Sequence, residues 1–223
     1  MTGRLPARYV RPVGLDPERF GVSLSQAFFE RSPLEVAPDL LGCIVASTAE
    51  GTLVAGRIVE TEAYLGRDDP GSHAATKGMT VRNAVMYGPC GCAYVYFTYG
   101  AHHMLNFVCG PEGTAGAVLL RALEPIVGQD AMSRRRGKNQ EAELCSGPGK
   151  LAAALAVDLS DNGIALGTDR LSVYAGTPVA RDKIRVSGRI GLSKGHELPY
   201  RFYEAGSPYV SRGRTGAHLK SKR

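Results

Sequence analysis

At 223 residues, 43% hydrophobic and 22% charged, the chain suits one globular domain with a sizeable core. Its 27 Lys and Arg against 21 Asp and Glu give a net charge of +6 and a sequence pI near 9.1, a basic excess that permits a nucleic-acid or acidic partner without establishing one. Five cysteines without paired C-x-x-C spacing argue against a secreted disulfide framework, and no apolar run reaches the roughly 18 residues of a membrane span or resembles a signal peptide.

In chain order, residues 1–22 read as an extended lead-in of turn residues and arginines. Two short helices are expected over Leu24–Arg31 and Pro33–Leu41. Ser32 supplies the N-cap of the second, Glu35 its first-turn acid and Gly42 its stop. Cys43–Ser47 is a strand, 48–52 a turn and Leu53–Tyr64 the return strand. Strict alternation on the return strand puts Ile58, Glu60, Glu62 and Tyr64 on one face, leaving Val59, Ala63 and Leu65 as a core face. Two carboxylates about 6.8 Å apart along a strand suit general-base work, although solvation on an open sheet face is the commoner explanation for such a stretch. Residues 66–83 form a long polar segment, with His73 and Arg82 its chemically interesting members.

Turn signals over Met86–Cys92 lead into Ala93–Gly100, the most aromatic stretch, which pairs back through Met104–Cys109. Tyr99 then stands at a hairpin tip, Tyr94 and Tyr96 on one face, Val95 and Phe97 on the other. Cross-strand packing and base stacking both fit these rings. Cys90-Gly91-Cys92 is half a metal site at most, because His102 and His103 are adjacent strand residues that point apart, so no metal is expected. Ala115–Leu123 is an apolar strand whose Arg121 must meet water, a partner or a ligand. Glu124-Pro125 is expected to end it and Ile126–Arg136 to be helical. Arg134-Arg135-Arg136-Gly137-Lys138 is a basic patch, either a solvated helix end or a phosphate contact. Ser146–Lys150 lacks Walker spacing and instead opens a helix over Lys150–Ala156. Short strands follow at 184–186, 188–191 and 200–203, and residues 212–223, with five Lys or Arg and no acid, read as a disordered basic tail. With no repeat or linker, residues 23–211 are one α+β domain: a curved, mainly antiparallel sheet flanked by helices, with a protruding β-hairpin.

These pieces, in this order, resemble the alkyladenine DNA glycosylase family, the 3-methyladenine glycosylases not built on a helix-hairpin-helix. The resemblance rests on Arg57–Gly66, His73, Arg82-Asn83, Tyr94-Val95-Tyr96, Tyr99-Gly100, Asn106 and Leu119–Pro125. It continues through Leu144–Pro148 with Lys150-Leu151, Arg201-Phe202-Tyr203 and Gly206-Ser207-Pro208, and spans roughly residues 30–211. It implies a monofunctional purine DNA N-glycosylase of base-excision repair, with no metal or organic cofactor. The implied enzyme acts as a monomer on duplex DNA and is cytoplasmic and DNA-associated, or nuclear in a eukaryote. Its substrates would be purines of the 3-methyladenine, 7-methylguanine, hypoxanthine or ethenoadenine type. By match to the family motif, Glu62 is the general base, and Tyr64, His73 and Tyr96 sandwich the flipped base. Asn106 filters against the guanine amine, Tyr99 intercalates, and Arg121 lies near the phosphate and the attacking water. Two alternatives are a damage-binding module without catalysis and a nucleosidase for free nucleosides. Tyr200 and Tyr209 stand where many relatives carry Trp.

Overall fold

The computed structural model describes residues 20–98 and 100–213. The expectations for the lead-in up to residue 19, for Tyr99 and for the tail from 214 lie outside the described residues.

A short helix α1 (Gln26–Phe29) precedes α2 (Pro33–Asp39). The cap of α2 forms as its sequence requires: the Ser32 hydroxyl accepts from Leu34 N–H, and the Glu35 carboxylate accepts from Ser32 N–H, satisfying donors that a helix start leaves open. Gly42 follows at φ +91°, and a Cβ there would lie 2.1 Å from the Thr177 carbonyl oxygen. Only glycine lets these two backbone segments meet.

Strand β1 (Ile44–Ser47) turns back into β2 (Val54–Tyr64), after which the polar segment carries the single turn α3 (Ala74–Lys77). The aromatic hairpin is β3 (Ala93–Thr98) and β4 (His102–Val108), with Thr98 opposite His102. β5 (Ala117–Val127) leads to α4 (Gln129–Arg136), α5 (Glu141–Leu144) and α6 (Pro148–Ala154). β6 (Leu171–Tyr174), β7 (Ile184–Ser187) and β8 (Arg201–Glu204) complete the sheet. The strand order is β3-β4-β5-β2-β1-β6, with β8 joining β2 to β7, and all pairings are antiparallel. The α+β expectation holds. No helix among the described residues is long and apolar enough to cross a membrane.

β2 is the central strand. One edge pairs with β5 along most of its length, while the other is shared, β1 taking residues 44–47 against 54–57 and β8 taking Arg201 opposite Glu62. The large core includes Val36, Leu40, Leu105, Leu120 and Leu151. A smaller cluster of Met86, Tyr94, Val108 and Ala117 packs beneath the aromatic pocket.

Three expectations need correction. β5 does not end at Glu124-Pro125 but runs to Val127, and the helix starts only at Gln129. Pro125 sits at a register shift opposite Gly56, where no ladder donor is demanded of it, and Glu124 is held by Arg57 at 2.6 Å. Strict alternation along β2 also fails: the register slips at Ile58/Glu60 and Glu60/Thr61, and Ile58 joins Ala63 in the main core rather than sharing the carboxylate face. A bulge inserts an extra residue and resets the alternation. Finally, residues 188–191 form no strand of their own; Arg189 there is wholly buried.

Candidate active site

Glu60 and Glu62 are not solvated. Both are fully buried, which decides against an open sheet face and requires every charge to be answered by donors. Glu60 accepts four hydrogen bonds: Arg121 Nε (2.9 Å), Arg201 Nε (2.6 Å) and Ser211 Oγ (2.8 Å) on one oxygen, and Ser211 N–H (2.6 Å) on the other. Glu62 accepts two, from the Tyr64 hydroxyl at 2.8 Å on Oε2 and from Ile190 N–H at 2.7 Å on Oε1, and is ion-paired with Arg121 Nη1 at 3.2 Å through Oε2. A carboxylate offers about four acceptor sites. Glu60 thus has as many protein donors as a carboxylate has acceptor sites, whereas Glu62, with two hydrogen bonds and an ion pair, keeps room for a further donor such as a water.

Arg121 lies between the two carboxylates and is itself buried. Burial, the largest influence on its pKa, acts to lower it, but Glu62 and then Glu60 outweigh that and raise it. The register explains its reach: Arg121 falls between Leu120 and Ala122, which face Thr61 and Glu60 across the irregularity. Tyr64 has its pKa pushed well up, chiefly by burial and then by the Glu62 charge, so the phenol stays protonated and donates to Glu62.

At Tyr64, whose hydroxyl donates to Glu62, opens a pocket lined by Tyr64, His73, Tyr94, Tyr96, Asn106 and Leu192, among others. Tyr94 and Tyr96 reach it from β3, as their shared face predicts, and Asn106 from β4 directly opposite Tyr94. Asn106 Nδ2 donates to the Tyr94 carbonyl at 3.0 Å, which fixes the amide's orientation. His73 keeps an outward edge exposed, while its ring meets Tyr96 edge-on at 4.5 Å and its Nδ1 lies 2.9 Å from the Tyr94 hydroxyl. Burial first, and the Arg82 charge second, lower the His73 pKa, which holds the imidazole neutral near pH 7. Burial likewise raises the Tyr94 pKa.

Of the residues singled out in the sequence, Tyr64, His73, Tyr96 and Asn106 line one cavity, Glu62 is tied to it through the Tyr64 hydroxyl, and Arg121 is paired with the Glu62 carboxylate. The Arg134–Arg136 patch stands apart at the far end of β2. The α4 start abuts Leu53 and Val54, about 27 Å of extended strand from Glu62. Arg135 is engaged with Glu50 and two carbonyls, and Arg136 with the Leu144 carbonyl, which fits the helix-end alternative. Sequence reasoning missed Asp69 and Arg189. These form a buried bidentate pair at 2.6 and 2.5 Å directly behind Tyr64, whose ring lies 4.6 Å from the Arg189 guanidinium. An arginine within Gly188-Arg189-Ile190-Gly191 was the available signal.

A slot walled by aromatic rings suits a planar ring, and a buried carboxylate tied to one of those rings suits general-base chemistry. Comparison with known proteins agrees. The profile of the methylpurine-DNA glycosylase family matches residues 27–208. A protein from Carboxydothermus hydrogenoformans is 50% identical over 190 residues, covering 85% of this chain and 98% of the relative. One from Methanoculleus marisnigri is 49% identical over 194 residues, 86% of this chain and all of the relative. A third, from Chlorobaculum parvum, is 46% identical over 200 residues, 89% and 95% of the two chains. All three carry the provisional name 3-methyladenine DNA glycosylase. The chain belongs to the methylpurine-DNA glycosylase family. It is a DNA N-glycosylase, a hydrolase that takes DNA as its substrate and acts in DNA repair.

Proposed function

We propose that this enzyme extrudes a damaged purine from duplex DNA and hydrolyses its N-glycosidic bond with a water activated by Glu62. The observation that carries this reading is the difference between the two buried glutamates: Glu60 accepts four hydrogen bonds from protein, whereas Glu62 accepts two beside one ion pair. Glu62 takes a proton as the water oxygen bonds to the sugar C1′. The C1′–N bond breaks with its electron pair leaving on the purine, and the carboxylate steadies the positive charge that develops on the sugar. Arg121, held against both carboxylates, orients Glu62 and faces the flipped nucleotide. No lysine takes part, so the product is an abasic site in an unbroken strand.

Tyr64, His73 and Tyr96 sandwich the flipped base. Such stacking contributes about 1–3 kcal/mol per base, comparable to the few kcal/mol spent on unstacking. Asn106 at the pocket floor rejects the guanine exocyclic amine, and Tyr99 fills the gap left in the duplex. Purines of the 3-methyladenine, 7-methylguanine, hypoxanthine and ethenoadenine type fit this cage. The test is single-turnover base release from duplexes carrying one hypoxanthine, ethenoadenine or 7-methylguanine. Glu62→Gln should lower release by roughly 10²–10⁴-fold while retaining lesion binding. Equal release by both proteins would remove Glu62 from the mechanism, and tight lesion binding without release by wild type would leave a damage-binding module.

A further inference from the structure

Arg189 is completely buried and belongs to none of the contacts assigned above to base or water. Nη1 donates to Asp69 Oδ2 at 2.6 Å and to the Ala63 carbonyl at 3.0 Å. Nη2 donates to Asp69 Oδ1 at 2.5 Å and to the Gly195 carbonyl at 3.0 Å. The guanidinium stacks between Tyr64 (4.6 Å) and Tyr200 (5.2 Å), and its Nε has no partner among the described residues. The two nitrogens at its tip and the two rings therefore set its position. Asp69 in turn accepts from Leu65 N–H and Gly71 N–H at 3.0 Å each. A Cβ on Gly71, which lines the pocket, would lie 2.5 Å from Nη2.

Three segments meet at this pair: the end of β2 that carries Glu62 and Tyr64, the loop that leads to His73, and residues 188–195. The Ala63 carbonyl that Arg189 holds is flanked by Glu62 and Tyr64. The residue after Arg189 donates its N–H to Glu62 Oε1 at 2.7 Å. From this geometry we infer that Arg189, clamped by Asp69, is a positioning residue for the hydrolytic step. It fixes the back face of Tyr64 and, through the Ile190 N–H, the oxygen of Glu62 that Tyr64 and Arg121 do not hold. It touches neither base nor water. A planar guanidinium gripped bidentately and stacked on two rings does this, and a lysine ammonium cannot. The inference rests on the proposed role of Glu62.

The test pairs a structural readout with a kinetic one. In Arg189→Lys, amide exchange at Ile190 should speed up at least tenfold while exchange at Val45 and Val173 in β1 and β6 is unchanged. Single-turnover release at saturating enzyme should fall roughly 10- to 100-fold, the scale on which small misplacements of a catalytic group act, with lesion-duplex affinity altered less than threefold. In a Glu62→Gln background the same substitution should cost less than threefold, because the group it positions is already gone. Asp69→Asn, which preserves volume, carries the same expectations should Arg189→Lys fail to fold. Three results would overturn the inference: an Ile190 amide as protected as in wild type, a loss confined to binding, or an equal loss in both backgrounds. Wild type that releases no base from any duplex would instead remove the proposed function, and the Ile190 amide would still decide the coupling.

Discussion

Glu60 and Glu62 are two residues apart and equally buried, yet their surroundings separate them. With two arginines and both donors of Ser211 on its carboxylate, Glu60 is the neutralising centre that lets Arg121 and Arg201 be buried. Removing one partner of such a cluster leaves uncompensated charge, so Glu60→Gln should destabilise the protein by about 3–5 kcal/mol, read from chemical denaturation. Glu62→Gln should cost less stability and far more rate. His73 gives a pH dependence whose sign follows from its lowered pKa. The folded protein binds this proton less readily than the unfolded chain. The stability His73 contributes is thus complete above its unfolded value near 6.5 and is lost as pH falls through the lower folded value. Urea titrations at pH 7.5 and 5.5 should show this acid loss in wild type and a smaller one in His73→Gln. At this scale little was legible in advance. Two glutamates and a tyrosine on one strand were visible. Nothing local distinguished the roles of the glutamates, because their donors come from residues 121, 190, 201 and 211. Asp69 and Arg189, 120 positions apart, gave no local sign of each other.

Elements were easier to read where a short-range rule governs them. The Ser32–Glu35 cap, the turn into β2 and the β3–β4 hairpin all appear as expected, because each is specified within a few residues. β2 escaped that reading at its bulge, which depends on β5 across the sheet. β5 itself was expected to stop at a proline that only the register slip accommodates. Gly42 and Gly176 mark another non-local constraint: a Cβ on Gly176 would lie 2.0 Å from the Gly42 carbonyl oxygen. Gly42→Ala adds a left-handed φ to its own clash with Thr177 and should cost roughly 2–3 kcal/mol, with single-turnover release of the folded fraction unchanged. A denaturation midpoint equal to that of wild type would show that the two segments can separate freely.

For the molecule as a whole, one charge-bearing strand is served from both sides of a sheet, and the pocket opens where β2, β3, β4 and β5 come together. The net charge of +6 and the proposed duplex ligand predict phosphate contacts as the main source of affinity. Log affinity should fall linearly with log salt, with a slope near −0.9 for each phosphate neutralised. Fluorescence anisotropy between about 50 and 200 mM salt measures this, and a flat response would contradict a duplex partner. Because Arg135 and Arg136 are bound up with Glu50 and main-chain carbonyls, Arg136→Gln should leave base release within twofold of wild type.

The saturation of Glu60 by Ser211 has a consequence for how the protein is made. Two of its donors come from a residue 151 positions later, just past the end of the region matched to the family. A chain still emerging from the ribosome can pair β1, β2 and β5, but it holds a buried carboxylate short of partners until Ser211 arrives. The central strand is therefore completed late in synthesis, and a translation product that stops before residue 211 would leave Glu60 short of donors.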